Sequence, residues 1–179
     1  MKIMGEKDIK NTLYELCKKL LSKNKNLQNM QIVGIQRRGA ILAERIRNII
    51  HELKGENLPV GSLDITLYRD DLSRISYQPV IRNTDIPFSV DDKHILLVDD
   101  VLYTGRTVRA ALDALLDLGR PKKIELMVLI DRNHRELPIQ ADYVGRKITI
   151  SSSQLVEVKV KEIDEKEEVV ILERKKNEV

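Results

Sequence analysis

The stretch His94–Val108, HILLVDDVLYTGRTV, constrains this chain more than any other. Four residues of buried-strand type, Ile95, Leu96, Leu97 and Val98, lead into two adjacent acids, Asp99 and Asp100. A short turn containing Thr104, Gly105 and Thr107 follows and opens directly into a helical pattern. A strand ending in acids, then a small-residue turn at a helix start, is in physical terms a site for a phosphorylated sugar. N–H groups in such a turn and in the first helical turn lack partners, and the helix dipole adds partial positive charge there. The threonine hydroxyls add donors. Carboxylates repel phosphate, so the acid pair is expected to face sugar hydroxyls or a metal attached to the ligand.

The flanking segments extend this unit. Val108, Ala111, Leu112 and Leu115 mark the buried face of a helix that stops at Gly119-Arg120-Pro121. Ile124–Ile130, apolar except for Glu125, reads as a strand covered on both faces. Residues 94–130 thus form one right-handed strand–helix–strand unit. Upstream, Gln31–Ile35 predicts a buried strand, followed by Gln36-Arg37-Arg38-Gly39 and a helix with Leu42, Ile46, Ile49, Ile50 and Leu53 on one face. Arg37 and Arg38 therefore stand where open α/β sheets place ligands, beside a second helix start; two ordinary surface arginines are the alternative. Asp131-Arg132-Asn133-His134-Arg135 occupies the corresponding end of the next strand.

The remaining chain is read by its periodicity. Ile9, Leu13, Leu16, Leu20 and Leu21 predict a helix over 8–23, whose other face carries Lys10, Lys18, Lys19 and Lys23. That face is either simply solvated or part of a nucleic-acid surface. Leu63, Ile65 and Leu67 alternate with polar residues and predict a strand. Residues 69–92 lack a period and include Pro79 and Pro87; they are read as a lid hinged at Arg69, with a short hairpin near Tyr77–Ile81, or as a plain surface loop. Tyr143-Val144 is expected to be a short strand. Leu155–Val160 and Val169–Leu172 are expected to pair antiparallel across the acidic turn at Asp164-Glu165, ahead of a charged, frayed tail from Arg174.

Several chemistries are excluded. The 179 residues, 42% hydrophobic and 33% charged, suit one globular domain. One cysteine permits no internal disulfide and fits a reducing cytosol. No apolar run is long enough for a membrane span, and the N-terminus lacks a signal-peptide core. His51, His94 and His134 are not spaced as metal ligands, and no nucleophile elbow, Walker loop or dinucleotide fingerprint occurs. A receiver domain of two-component signalling would need more chain after the acid pair, and here that chain ends in a hairpin.

The run Val98-Asp99-Asp100-Val101-Leu102-Tyr103-Thr104-Gly105-Arg106-Thr107 resembles the phosphoribosyl diphosphate motif of type I phosphoribosyltransferases. ITLYRDDLS at 65–73, VDDVLYTGRTVRA and HRELPIQADYVGRKI at 134–148 extend the resemblance, over nearly the whole length, to the family that regulates pyrimidine operons. The fold implied is a mainly parallel sheet flanked by helices, with a small hood over about 148–172 and a C-terminal hairpin. The resemblance implies two activities: binding of the pyrimidine-operon mRNA leader in response to uridine nucleotides (UMP, UTP), causing attenuation, and transfer of phosphoribosyl from phosphoribosyl diphosphate (PRPP) to uracil. A phosphoribosyltransferase acting on uracil or another base without RNA binding is the alternative.

Roles follow residue by residue from the resemblance. Val98–Thr107 would bind PRPP, with Val101–Thr107 on the 5′-phosphate and Asp99 and Asp100 on the ribose hydroxyls. Arg37 and Arg38 would receive pyrophosphate, and Arg69 would close over it. Asp131, Arg132 and Val156 would bound the base. Mg²⁺ would be held through the substrate and not by a protein cage. Lys18, Lys19, Lys23, His134, Arg135 and Arg146 are the RNA-binding candidates, on a homodimer or larger homo-oligomer. Three departures stand out: Tyr14 and Glu15 occupy positions where the family carries Thr-Arg, Asn133 replaces a glycine, and residues 149–154 differ.

Overall fold

The structure is a computed structural model and describes residues 1–74 and 82–174. The hairpin expected near Tyr77–Ile81 lies outside the described residues, as does nearly all of the expected tail. The chain runs β1 (Lys2–Gly5), α1 (Glu6–Lys23), β2 (Met30–Ile35), α2 (Arg38–Lys54), β3 (Val60–Leu63), two 3-10 turns (Thr66–Tyr68 and Leu72–Arg74), β4 (His94–Leu102), α3 (Arg106–Leu118), β5 (Lys123–Asp131), β6 (Tyr143–Lys147), β7 (Gln154–Lys159), α4 (Lys161–Asp164) and β8 (Glu168–Glu173).

Five strands form a parallel sheet in the order β3-β2-β4-β5-β6. Its central strands carry almost no polar residues because helices cover both faces. All six residues of β2 are buried. One core cluster joins that sheet to α1 and α2 through Ile9, Leu13, Leu16, Leu20, Leu42, Ile46 and Ile50. The other joins it to α3 through Val108, Ala111 and Leu115. The chain turns one way after β2 and the other way after β4, so the crevice between their carboxyl ends is the topological switch point where such sheets bind ligands. Cys17 is buried in the first cluster, and burial pushes its thiol up to about 12, which removes it as a nucleophile at neutral pH.

A second sheet, β1-β8-β7, is antiparallel. The expected hairpin is present in the register Leu155↔Leu172, Val156↔Ile171 and Val158↔Val169. Its third strand, β1, was not expected, because four residues at a chain end give too little pattern to read.

Three local expectations are corrected. The strand around Leu63–Leu67 ends at Leu63. Asp64 Oδ1 accepts from the Thr66 amide at 2.9 Å and from its hydroxyl at 2.5 Å, a local bond that favours a turn over a ladder. Leu67 accordingly lies exposed. β4 does not end at the acids: its ladder to β5 continues to Leu102↔Asp131, so Asp99 and Asp100 lie within the strand. Finally, residues 82–92 do not belong to a free loop. Asp85 exchanges both backbone bonds with Ser62 at 2.7 and 2.8 Å, Asn83 O accepts from Gln36 Nε2 at 2.7 Å, and Val90 is buried.

Candidate active site

A cleft of about 250 Å³ opens at the switch point, lined by Ile35, Gln36, Arg37, Arg38, Ile65, Arg69, Asp99, Asp100, Val101 and Thr107. It brings together the acid pair, both loop arginines and the arginine at the start of the expected lid. A more apolar groove of about 330 Å³, between α1 and α2, has Leu13, Tyr14, Ile49 and Glu52 among its walls but none of these groups.

Two helix starts converge on this cleft. α2 begins at Arg38 and α3 at Arg106, and neither has an acid in its first turn. Both are therefore suited to anions. Close approach makes this possible. A Cβ on Gly39 would lie 2.6 Å from Val98 O and 3.1 Å from Asp99 Cα, so the first turn of α2 rests directly on β4 at the acids. Gly105, the N-cap of α3, has φ +93, in the left-handed region that suits glycine. Segment 132–137 clasps the loop between β4 and α3. Arg132 N–H donates to Leu102 O at 2.9 Å, and the Glu136 and Leu137 amides donate to Thr104 O at 3.0 and 3.2 Å.

Asp99 is 6% exposed. Burial, then the charge of Asp100, raises its carboxyl well above the usual range. Burial also raises Asp100, opposed by its bond with Asp99 and by the Arg38 charge. Two such carboxyls hold protons more tightly than free ones and become full acceptors when hydroxyl donors or cations arrive. Arg38 donates to both oxygens of Asp164, from Nε at 3.1 Å and Nη2 at 2.7 Å. Arg69 pairs with Asp71 at 2.6 Å. Arg106 donates to Glu136 at 2.6 Å and also pairs with Asp70, tying the start of the expected lid to the rim of the loop.

The other expected residues take varied positions. Val98 and Leu102 are core residues, so only their backbone can meet a ligand. Asp131 is buried and grips Arg135 Nη2 with both oxygens at 2.8 Å. Arg132 is also buried, and Val156 is half-buried in β7. Asn133 has φ 52, a conformation asparagine tolerates better than most residues, which accounts for its standing where the family has glycine.

The six RNA-binding candidates do not form one patch within a chain. Lys23 donates to buried Glu125 at 2.8 Å near the start of β5, whereas Arg135 holds Asp131, Ile139 O and Tyr103 O at its other end. Those ends are about 20 Å apart by strand rise. Exposed His134 stays at the Arg135 end, its ring centre 5.3 Å from that of Tyr103. Lys18 pairs with Glu15 at 2.9 Å, and Lys19 lines a cleft with Thr12, Glu15 and Gly145, next to exposed Arg146.

Sequence reasoning missed Gln36, which lines the cleft, and Asp164, whose partner Arg38 is 126 positions away. Among the described residues no cluster of three or more His, Cys, Asp or Glu could hold a metal ion, so the acid pair is the hard-oxygen donor set at the cleft. That set fits a Mg²⁺ carried by a substrate.

Comparison with known proteins accords with this geometry. Residues 6–163 match the phosphoribosyl transferase domain family. The chain is 56% identical to the bifunctional protein PyrR of Pelotomaculum thermopropionicum, over 96% of this chain and 94% of that one. It is 52% identical to the bifunctional protein PyrR of Thermus thermophilus, over 96% and 95%. Among solved structures, a hypoxanthine phosphoribosyltransferase from Staphylococcus aureus superposes with a TM-score of 0.70 at 24% identity, covering 94% of this chain and 90% of that one. The hypoxanthine phosphoribosyltransferase of Trypanosoma cruzi gives 0.72 at 16%, covering 97% of each chain. The chain therefore belongs to the phosphoribosyl transferase family and, within it, to the group of bifunctional PyrR proteins.

Proposed function

We propose that this protein transfers phosphoribosyl from PRPP to uracil, releasing pyrophosphate and forming UMP, and that it binds the leader of a pyrimidine-operon mRNA in response to uridine nucleotides. One observation carries the enzymatic half: an acid pair on β4 shares a single cleft with three arginines and two acid-free helix starts.

The roles follow from the chemistry of each group. Backbone amides of Val101–Thr107, with the Thr104 and Thr107 hydroxyls, bind the 5′-phosphate. Asp99 and Asp100 accept from the ribose hydroxyls. Arg37 and Arg38 meet pyrophosphate at the start of α2, and Arg69, which lines the same cleft, closes over it. Uracil lies between the Asp131-Arg132 turn and segment 148–156. Asp99 and Asp100 would lie nearest a Mg²⁺ carried by the substrate, and that ion would neutralise charge on the leaving pyrophosphate. Pyrophosphate leaves the anomeric carbon through an oxocarbenium-like state, which asks mainly for positioning, charge and exclusion of water. Once ionised by the arrival of hydroxyl donors and a cation, the acid pair supplies negative potential beside the carbon where positive charge develops.

RNA recognition is assigned first to Lys18, Lys19 and Arg146, of which Lys18 pairs with Glu15 and Arg146 donates to Ile3 O at 2.7 Å, with Lys23, His134 and Arg135 contributing less because Lys23 and Arg135 are tied to the buried acids Glu125 and Asp131. Phosphate contacts need cations but no unique sequence position. Two copies in a homodimer or larger homo-oligomer would double the patch. Among the described residues no helix is long and apolar enough to cross a membrane, and we assign the protein to the cytoplasm.

A specific observation favours a second reading, an enzyme without RNA binding. At the departing family positions, Tyr14 donates to Glu52 and Glu15 pairs with Lys18, so neither presents a free cation to phosphate. Two assays decide between the readings. Transfer from PRPP is measured with uracil, hypoxanthine, guanine and adenine in parallel; uracil is expected to be preferred. Leader RNA is titrated with and without UMP; no binding at low salt with UMP present leaves the enzyme-only reading.

A further inference from the structure

Arg132 is 4% exposed, and among the described residues no acidic side chain pairs with it within ion-pair distance. Burying a cation without a counter-charge is unfavourable, and an apolar side chain would fill the space at less cost. Its contacts show what the guanidinium does instead. Nη2 donates to Gln154 O at 2.7 Å and Ser151 O at 3.3 Å, both in the segment beside the proposed base site. The guanidinium carbon lies 3.8 Å from the centre of the Tyr103 ring, in the proposed phosphate loop. Nε is buried and has no partner among the described residues.

These contacts are made by one planar group to two different segments. The guanidinium lies over the Tyr103 ring while its Nη2 donates to the Ser151 and Gln154 carbonyls, so one group reaches both. A lysine ammonium at the same place could meet the ring or the carbonyls but could not hold both in fixed geometry. Tyr103 and Gln154 are far apart in sequence, and each belongs to the segment assigned to a different substrate. Resting on the site assignment above, we propose that Arg132 is a positioning residue for the transfer reaction. It braces the phosphate loop against segment 151–154, so that the anomeric carbon and the base nitrogen meet in line. Its side chain acts through Tyr103 and segment 151–154, and only the backbone of its turn borders the base.

Misplacing reacting atoms by about 1 Å costs on the order of a hundredfold in rate even when both partners still bind. The brace therefore predicts a loss in kcat, not in affinity. The experiment uses the full chain with Mg²⁺, PRPP and uracil, and measures kcat, both KM values and equilibrium binding of PRPP alone. Arg132→Lys and Tyr103→Ala are each expected to lose about tenfold or more in kcat, with PRPP binding changed less than about threefold. The double variant Arg132→Lys/Tyr103→Ala is expected to be no worse than the more impaired single variant, because both changes remove the same contact.

A rise in the uracil KM alone at unchanged kcat overturns the proposal, since Arg132 would then touch the base. Additive losses in the double variant overturn it as well. If Arg132→Lys fails to fold, Tyr103→Ala decides, and parental kcat there sinks the brace. Asp100→Asn is assayed alongside. Full activity in that variant overturns the site assignment itself, whereas its loss beside parental Arg132→Lys and Tyr103→Ala overturns only the brace.

Discussion

Arg38 and Asp164, 126 positions apart in sequence, form a two-pronged ion pair at 2.7 and 3.1 Å. The pair ties the start of α2, one wall of the cleft, to α4 and hence to the small sheet. Asp164 is held below the usual carboxylate range chiefly by that bond. Asp164→Ala is therefore expected to cost about 1–3 kcal/mol, lowering Tm by roughly 2–12 °C in a chain of this size. The depressed carboxyl contributes stability above its unfolded value and loses it as pH falls through the folded one. Thermal melts should accordingly show the variant and parent converging below about pH 4, and a gap independent of pH counts against the pair.

The acid pair predicts the opposite sign. Burial raises both carboxyls, so their contribution to stability is fully present below the unfolded value and is lost as pH rises through the folded one. Asp99→Asn and Asp100→Asn should therefore melt no lower than the parent at pH 8, while losing about tenfold to a hundredfold in transfer. That corresponds to about 1.5–3 kcal/mol for a charged hydrogen bond to substrate. Melts and steady-state rates on the same samples check both halves. Parental kcat/KM in both variants removes the ribose assignment.

These two pairs show where sequence reading works and where it stops. Asp99, Asp100 and the turn to Gly105 were legible because a strand, two acids and a helix start are contiguous, and local chemistry determines what such a run can bind. Arg37 and Arg38 were legible by their place at a strand's carboxyl end. Asp164 was not, because a single acid in a turn carries no mark of a partner elsewhere in the chain. The ending of β3 was misread because alternation over five residues was outweighed by one Asp64–Thr66 side-chain bond. The anchoring of residues 82–92 was not legible because backbone pairing between Ser62 and Asp85 leaves no periodic signature.

Glu125 is a further case that only the fold reveals. It is 1% exposed and accepts from Lys23 at 2.8 Å, Lys123 at 2.9 Å and Tyr143 at 3.2 Å, with His94 Nε2 at 2.8 Å. Burial pushes the carboxyl up, and the two ammonium groups outweigh it, leaving it at about 2. Glu125→Gln is expected to destabilise the fold at pH 7, with an upper bound of roughly 3 kcal/mol that solvent screening of the half-exposed lysines reduces. The gap should close between about pH 4.5 and 2. The cluster lies at the far end of β5 from the cleft, so kcat at 25 °C should stay within about twofold of the parent; a large kcat loss without a fall in Tm contradicts this separation.

RNA binding should respond to α1 in a defined direction. Lys18 pairs with Glu15, so replacing that acid both frees one cation and adds another. Glu15→Arg is expected to tighten leader binding and to steepen its salt dependence. Lys18→Ala/Lys19→Ala should weaken binding and lower the slope by about one to two counterions. Titrations at 50 and 200 mM salt with UMP present measure both. Unchanged affinity in both variants would move the RNA surface away from α1.

The small sheet has a consequence for how the molecule is made. Its middle strand, β8, pairs with β7 on one side and with β1 on the other, and the Met1 amino group donates to Ile171 O at 2.6 Å. β1 thus waits for β8, and its register cannot be set until residues 168–173 have left the ribosome. The five-stranded sheet, complete by Lys147, has no such dependence. During translation the cleft between β2 and β4 can bring Arg37, Arg38, Asp99 and Asp100 together before the small sheet exists. A nascent chain stalled after β6 should hold the parallel core but leave Ile9 and Leu13 only partly covered, a state in which chaperones would meet it.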